Sequence, residues 1–419
     1  MSEKYSELYK YIDSVCKKLD SDELRQDFRK CYLNTLETTV RYDDEGNVFI
    51  ITGDIEAMWL RDSSVQVSHY VRLAGTDDDC RQLVRSLLKR QFQYINTDPY
   101  ANAFNEAPNG KGHKDKTETD PVVFERKYEI DSLVYPLWLL NKYFLYTKDS
   151  SVFDSVFYKA LNTIVKTFIT EQDYKEKSPY YFIRPGDEKD SLANNGYGCD
   201  YRYTGMVRSA FRPSDDRCEY PFLVPSNMFI VAVMCELLGN LKAAQIENPF
   251  ENTITILCEQ IEKGIKEFAI VDDSNYGKIY AYEVDGCGNR LMMDDANVPS
   301  LLSLPYLGWC DKNDEIYLNT RRFILSKGNP YYYQGEYADG IGSPHTPENF
   351  IWHISLIIEA LTTDNKKEKH RIFNILRNTT AGTGFMHEGF NCDNPDEYTR
   401  SWFAWANTLF AIFIIDCVI

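Results

Sequence analysis

The sequence predicts an all-α protein, an (α/α)6 barrel of two concentric helix rings with short β-hairpins in the loops at its mouth. Apolar residues recur at helical spacing along most of the chain. Amphipathic helices alternate with helices that are apolar nearly all round, and such helices must be covered on most sides. No fixed-period sequence repeat is present, which disfavours regular repeat arrays. An irregular helical solenoid is the competing arrangement.

Each predicted element follows from its own pattern. Apolar faces at helical spacing mark amphipathic helices within residues 5–19, 83–95, 153–168 and 254–268. Helices that are apolar nearly all round are expected after Asp131, Ser226 and Asn349. Val48–Thr52 and Lys278–Val284 have the composition of short hairpin strands at the mouth. No linker rich in Pro, Gly or Ser divides the chain, so we expect a single catalytic domain over residues 1–419.

Charge and aromatic content narrow the possible ligands. The chain has 46 Lys and Arg residues and 63 Asp and Glu residues, which gives a formal net charge of -17. Nucleic-acid partners require a basic surface, and so do anionic membranes, so neither is expected. The 30 Tyr and 6 Trp suit a ligand with both hydroxyl groups and C–H faces, such as a sugar. A large aromatic core would explain them equally well.

Targeting, metal and cofactor signals are missing from the sequence. The first residues contain no long apolar stretch of the kind that forms a signal peptide, so we expect a cytoplasmic protein. The 11 Cys include no CxxC pair and the 6 His no HExxH pattern, so no metal site is expected. No glycine-rich nucleotide-binding motif and no GxSxG motif occurs. We therefore expect no cofactor, and nothing implies a protein partner.

Carboxylates recur beside aromatic and Arg residues in the long loops. In Trp59-Leu60-Arg61-Asp62, the Arg and Asp can form hydrogen bonds with neighbouring hydroxyl groups of a sugar, and the Trp can pack against its C–H face. The alternative is that Asp62 caps a helix and Trp59 is a core residue. In the segment 212–217, Arg212 precedes the paired carboxylates Asp215 and Asp216, of which one is expected to face a ligand. A capped turn is the alternative there.

Four further positions are candidates for the same pocket. Glu388 lies between His and Gly in an otherwise apolar loop. It is expected either to act in catalysis or to be a solvated surface group. His345 precedes Thr346 and Pro347, which resemble the N-cap and first residue of a helix. Asp295 belongs to a second carboxylate pair before an expected helix, where capping is the alternative to hydroxyl binding. Trp402 can wall a sugar site, whereas Trp405 is expected to pack in the core.

These motifs together resemble glycoside hydrolase family 125, the bacterial and fungal exo-α-1,6-mannosidases. The resemblance runs from about residue 30 to the C-terminus and rests on six segments in order: GDIEAMWLRDSS, GMVRSAFRPSDD, YPFLVPSNMF, MMDDANVPSLLSLPYLG, GIGSPHTPENFIWHISL and HEGFNCDNPDEYTRSWFAWANTLF.

The resemblance implies a fold, a reaction and residue roles. It implies an (α/α)6 barrel that removes non-reducing terminal α-1,6-linked mannose, as from trimmed N-glycans, without a metal and with inversion. Asp215 is then the general acid, with Asp216 as the other candidate in the motif, and Glu388 is the general base. Arg61 and Asp62 are expected to hold the outer hydroxyls of the terminal sugar. Trp59, Arg212, Asp295, His345 and Trp402 are the remaining predicted substrate contacts.

Inverting hydrolysis requires two carboxyl groups about 6.5–9.5 Å apart, with a water between the base and the sugar. The acid should have a raised pKa and the base should stay ionised. Three alternatives stay open at this point. They are an inverting exo-glycosidase acting on glucans, a sugar epimerase that uses His345 with His353 or His387, and a non-catalytic glycan-binding protein.

Overall fold

Helices are the main secondary structure of the protein, whose computed structural model describes residues 4–43 and 45–419. Short sheets of two or three strands connect them. The α-helices of the described residues, in chain order, are α1 (Ser6–Cys16), α2 (Asp22–Thr38), α3 (Leu60–Gln66), α4 (Asp78–Thr97), α5 (Ile130–Thr147), α6 (Ser155–Glu171), α7 (Tyr174–Lys177), α8 (Ala193–Gly196), α9 (Val224–Ala243), α10 (Glu251–Gly264), α11 (Glu315–Ile324), α12 (His353–Leu361), α13 (Lys366–Asn378) and α14 (Ala404–Phe413).

Five helices, α3, α5, α9, α12 and α14, form an inner layer. Every residue of α3 and α14 is buried, and the other three are buried on nearly all sides. Helix α3 packs against α5, α5 against α9, α12 against α14, and α14 back against α3. Between α9 and α12 in the chain lies the turn-rich segment 298–309, in which Leu301, Leu302 and Leu304 are buried. Tyr135 of α5 donates a hydrogen bond to the Val298 carbonyl of this segment.

Amphipathic helices alternate with the inner elements along the chain and cover them. Helix α4 packs against α5 and α6, α10 against α9, α13 against α12, and α2 against α14. Each of these outer helices buries one face and exposes the other. This alternation of buried and amphipathic helices confirms the predicted (α/α)6 barrel of two rings.

The strands are short and more numerous than the sequence predicted. Strands of two or three residues are too short to show the alternation that identifies a strand. Hairpins do form at the two predicted places, although part of Lys278–Val284 belongs to a separate strand. The strands are β1 (Val40–Tyr42), β2 (Val48–Ile50), β3 (Met58–Trp59), β4 (Ala103–Phe104), β5 (Val123–Glu125), β6 (Phe222–Leu223), β7 (Ile270–Asp273), β8 (Gly277–Tyr280), β9 (Glu283–Val284), β10 (Arg290–Leu291), β11 (Tyr332–Gln334), β12 (Asp339–Ile341), β13 (Phe350–Trp352), β14 (Gly389–Asn391) and β15 (Asn394–Thr399).

Three of these strands lead directly into inner helices. Strand β3 runs into α3, β6 into α9 and β13 into α12. Their antiparallel partners, β4, β9 and β14, come from loops elsewhere in the chain. These small sheets therefore gather distant loops at the N-terminal ends of the inner helices, and we call this end the mouth.

The start of α12 differs from the sequence prediction. Thr346 and Pro347 do not open a helix, because Phe350–Trp352 pairs with Gly389–Asn391 as a strand and the helix begins only at His353. The bulky residues Phe350, Ile351 and Trp352 suit this pairing. Nor does a helix follow Asp295. Its neighbour Asp294 instead accepts hydrogen bonds from the backbone N–H groups of Leu301 and Leu302 in the turn-rich segment.

Helix α9 is the one helix of the described residues that is long and apolar enough to cross a membrane. Its apolar window has a mean hydropathy of 1.4 and is 67% buried inside the structure. It packs against α5 and α10. Burial of this extent against neighbouring helices is typical of a core helix.

Candidate active site

A cavity of about 550 Å³, including its opening to solvent, lies at the mouth. Seven of the nine predicted site residues line it, and Arg212 and Asp295 do not. The seven are Trp59, Arg61, Asp62, Asp215, His345, Glu388 and Trp402. They come from the start of α3, the turn before Asp216, the loop before β13, the start of β14 and the start of α14.

Arg61 is the centre of the buried wall of the cavity. Its side chain is only 5% exposed, and four carboxyl groups lie within 4 Å of its guanidinium. The distances are 2.7 Å to Glu129, 3.2 Å to Asp131, 3.3 Å to Asp62 and 3.9 Å to Asp215. One guanidinium group cannot balance four neighbouring carboxylates, three of which are nearly fully buried, so protonation is favoured within this cluster.

Burial is the main cause of the shifted acidities in this cluster. It raises the pKa of Glu129 well above its ordinary value, against the attraction of Arg61. It also raises the pKa of Asp131 to about 6 and shifts the pKa of Asp62 upward. The Glu129 and Asp131 side chains are 0% exposed. A proton is therefore favoured on Glu129 at neutral pH, whereas Asp131, with a pKa of about 6, is mostly ionised.

Asp215 lies at the cavity edge of the cluster, on a tight turn. Its backbone is in the left-handed region (φ 66°), which Asp tolerates better than most residues. The Asp215 N–H donates to the Arg212 carbonyl, and the Arg212 N–H donates to the Asp216 carbonyl. Lys127 donates to the Asp215 carbonyl at 2.8 Å. These bonds hold the carboxyl group in place with 28% of its side chain exposed.

The expected raised pKa of Asp215 is not what the free protein shows. Burial raises the pKa of this carboxyl group, but the charges of Arg61 and Lys127 and a hydrogen bond from Glu129 outweigh burial. The pKa of Asp215 is therefore lower than usual, whereas that of Glu129 is higher. The sequence prediction was wrong on this point because it had not placed the positive charges of Arg61 and Lys127 beside this carboxyl group.

Asp216 is not among the residues that line the cavity. Its carboxylate accepts a hydrogen bond from Ser214 at 2.9 Å and lies 3.7 Å from Nδ1 of His345. The nearby Asp216 carboxylate is the main cause that raises the pKa of His345 to about 9. His345 therefore adds a positive charge to the cavity wall at neutral pH.

Glu388 stands on a separate part of the cavity wall. Arg400 donates from Nε to its carboxylate at 3.1 Å and forms a second ion pair with Asp54. The backbone of Arg400 is left-handed (φ 53°), so the guanidinium is held by a constrained turn. The Glu388 side chain is 10% exposed. Asp215 and Glu388 are thus held by different cations on different loops.

Aromatic side chains form the remaining walls. Trp59, Trp352, Trp402, Phe403 and Trp405 all line the cavity. Trp405 was expected only to pack. It is 2% exposed, and the Arg61 guanidinium lies 5.9 Å from its ring centre. Flat apolar faces beside hydrogen-bonding groups suit the C–H faces and hydroxyls of a sugar.

Four buried polar atoms among the cavity-lining residues have no hydrogen-bond partner in the part of the chain that is described. They are Nε1 of Trp59, Nε of Arg61, Oδ2 of Asp62 and Nδ2 of Asn297. Buried polar groups are normally satisfied, because leaving them unpaired is costly. Three donors and one acceptor around one cavity fit a ligand that carries several hydroxyl groups.

Arg212 and Asp295 have structural positions instead of the predicted contacts with substrate. Arg212 donates to Glu283 at 2.6 Å in a buried ion pair, and Glu283 also accepts the N–H groups of Glu219 and Tyr220. This pair anchors the turn that carries Asp215. Asp295 accepts the N–H of Asn297. Burial is the main cause that raises the pKa of Asp295 to about 6, with the nearby Asp216 adding to it.

Sequence reasoning missed the residues behind the cavity wall. Lys127, Glu129 and Asp131 lie in the short segment KYEIDS, which was interpreted only as the start of an apolar helix. Asn102 precedes β4 and contacts both Glu129 and Asp215. Three charged residues at the start of a helix as apolar as α5 form a pattern similar to the motifs that were identified from the sequence.

The His pair required by an epimerase is not present at the cavity. His353 and His387 are 0% exposed, and their ring nitrogens are hydrogen-bonded to backbone carbonyls and Thr379. Burial lowers the pKa of His353 to about 3. Of the three His residues considered, only His345 lines the cavity. In residues 4–43 and 45–419, no group of three His, Cys, Asp or Glu side chains is arranged to hold a metal ion.

Distant solved structures are similar to this chain in fold. A family 63 mannosylglycerate hydrolase from Thermus thermophilus superposes with a TM-score of 0.56 at 12% identity, over 92% of this chain and 99% of that chain. At this identity the likeness shows the fold alone, which is the (α/α)6 barrel of glycosidases.

Closer relatives show the family. A family model described as metal-independent alpha-mannosidase (GH125) matches residues 21–415. A Streptococcus pneumoniae metal-independent α-mannosidase, solved in a non-productive complex with α-1,6-mannobiose, is 45% identical, with a TM-score of 0.95 over 98% of each chain. The meiotically up-regulated gene 157 protein of Schizosaccharomyces pombe is 40% identical over 430 residues, which is 97% of this chain and 84% of that protein. The chain belongs to family GH125 and is a glycoside hydrolase.

The contact between His345 and Asp216 predicts an unusual titration. His345 should carry its proton up to about pH 9 and lose it above that value, since the nearby Asp216 carboxylate favours the charged ring. The stabilisation from this pair is therefore full below the ordinary His pKa of about 6.5 and is lost as the pH rises through 9. NMR of labelled His should show this midpoint, and Asp216→Asn should move it toward the ordinary value. A wild-type midpoint near 6.5 would contradict the pairing.

The position of Arg212 predicts a loss of stability and not a defect in substrate binding. Arg212→Met leaves the Glu283 carboxylate buried without its cation, which should cost about 3–5 kcal/mol of unfolding free energy. The double variant Arg212→Met/Glu283→Gln should recover most of this loss, because Gln keeps an acceptor for the two N–H groups without a charge. Chemical denaturation measures both. A fully stable Arg212→Met protein with a raised KM would instead restore Arg212 as a substrate contact.

Proposed function

We propose that this protein is an exo-acting α-1,6-mannosidase that releases non-reducing terminal mannose with inversion of configuration. The observation that carries the proposal is that Asp215 and Glu388, far apart in sequence, line one cavity and are held by separate cations. The α-1,6-mannobiose complex of the S. pneumoniae relative supports the substrate class. That relative's association with the processing of N-linked glycans makes trimmed N-glycans the proposed natural source of substrate.

The terminal mannose binds against the buried wall. Arg61 and Asp62, both nearly fully buried, close the inner end of the cavity. Their guanidinium and carboxyl groups, with Nε1 of Trp59, offer hydrogen bonds to the outer hydroxyls of the sugar. A closed inner end leaves no space for a sugar chain that continues beyond the terminal residue. Exo action therefore follows from the burial of these two side chains.

The two catalytic carboxyl groups have opposite tasks. Asp215 donates a proton to the glycosidic oxygen while the C–O bond breaks and its electron pair goes to that oxygen. Glu388 removes a proton from the water that attacks the anomeric carbon from the opposite side. Arg400 orients Glu388 for this step. A single displacement by water converts the α-linkage into β-mannose.

Substitution of the two carboxyl groups tests their assignment. Asp215→Asn and Glu388→Gln should each fold normally and lower kcat on α-1,6-mannobiose by about 10²–10⁴-fold, because each removes one proton-transfer group. Asp216→Asn is the matched control, since the neighbouring carboxylate faces His345 and does not line the cavity. Its kcat should stay within about tenfold of the wild-type value, the small end of such effects. Activity retained by Asp215→Asn but lost by Asp216→Asn would reverse the assignment.

A further inference from the structure

Glu129 and Asp215 face one another behind the cavity wall. Oε2 of Glu129 accepts hydrogen bonds from Arg61 at 2.7 Å and from Ser132 at 2.9 Å. Oε1 is turned the other way, where Nδ2 of Asn102 lies 3.4 Å from it and 3.4 Å from Oδ1 of Asp215. One oxygen of each carboxyl group therefore lies beside the same amide nitrogen, which makes the two carboxyl groups neighbours. Because a carboxylate has no proton to donate, a hydrogen bond between the two groups requires that one of the pair be protonated.

The surroundings place that proton on Glu129 in the free protein. The Glu129 side chain is completely buried, whereas the Asp215 side chain keeps 28% of its surface exposed to the cavity. Burial disfavours the charged form, and exposure together with nearby cations favours it. The charged and titratable groups near the pair on the surrounding elements are Arg61 and Asp62 on α3, Glu125 on β5, Lys127 before α5, Asp131 on α5 and His345 before β13.

A general acid must nevertheless be protonated when the glycosidic bond breaks. A sugar that covers Asp215 removes its remaining contact with water and shifts its preference toward the neutral form. The proton on Glu129 is one hydrogen bond away. Resting on the proposed function, we propose that Glu129 is a positioning residue that stores the proton which Asp215 delivers to the leaving oxygen.

The proton balance is simple. The O–H bond of Glu129 breaks as the O–H bond of Asp215 forms, and the Asp215 O–H bond then breaks as the leaving oxygen is protonated. The C–O electron pair goes to that oxygen, and Glu388 takes one proton from the attacking water. After product release, Glu388 returns this proton to solvent, and the pair regains one from solvent.

The variant Glu129→Gln tests the proposal. Gln keeps an acceptor for Arg61 but cannot store a proton, which leaves Asp215 alone beside Arg61 and Lys127. The alkaline limb of the kcat/KM profile on α-1,6-mannobiose should then move to lower pH by about one unit or more. Activity at pH 7 should fall by about 10–100-fold and recover partly in acid. Glu129→Asp, which restores a carboxyl group, should recover part of the alkaline limb.

A second substrate separates proton storage from a purely structural role. α-Mannosyl fluoride has a leaving group that needs no protonation, so Glu129→Gln and Asp215→Asn should both hydrolyse it at rates close to the wild-type rate. An equal loss on both substrates, or an alkaline limb that does not move, would overturn the role of Glu129. Full activity of Asp215→Asn on α-1,6-mannobiose would instead overturn the proposed acid itself. The melting temperature of each variant checks that it is folded.

Discussion

The buried guanidinium of Arg61 is the interaction on which the rest of the site depends. It lies within 4 Å of four carboxyl groups from three segments of the chain and forms part of the inner end of the cavity. Without its charge these groups would be buried and uncompensated, at a cost of about 3–5 kcal/mol for the loss of one partner. Arg61 and Lys127 together lower the pKa of Asp215, while burial raises the pKa of Glu129. In the proposed function, substrate binding and acid catalysis share this electrostatic arrangement.

The inner helices of the barrel stabilise the fold, whereas the loops at the mouth carry the residues of the candidate active site. The inner helices bury apolar residues on nearly all sides and supply a rigid support. The strands at their N-terminal ends bring distant loops together, so that the turn of Asp215 and the loop of Glu388 meet at one cavity. The backbone has a positive φ at Asp215 and at Arg400, the residue whose guanidinium contacts Glu388. Left-handed conformations of residues other than Gly cost about 1–3 kcal/mol each and persist where the surrounding structure enforces them.

The sequence predicted the long elements and most of the cavity for clear physical reasons. Helices such as α5 and α9 are apolar over many residues, and their signal is strong. The two-residue strands gave no signal, because their pairing partners are remote in sequence. Arg212 was assigned to substrate because an Arg beside two carboxylates resembles a binding motif, whereas its partner Glu283 lies 71 residues away. Glu129 was missed because its importance comes from contacts with Arg61 and Asp215 that only the fold creates.

The stereochemistry of the first product tests the central claim most directly. If Asp215 and Glu388 act across the cavity on a mannose held by Arg61 and Asp62, water attacks opposite the leaving group in one step. Proton NMR during the first minutes of α-1,6-mannobiose hydrolysis should then show β-mannose, followed by slow mutarotation to the equilibrium mixture. Initial release of α-mannose would contradict this account, since it would require a covalent intermediate and a nucleophile where we place a base.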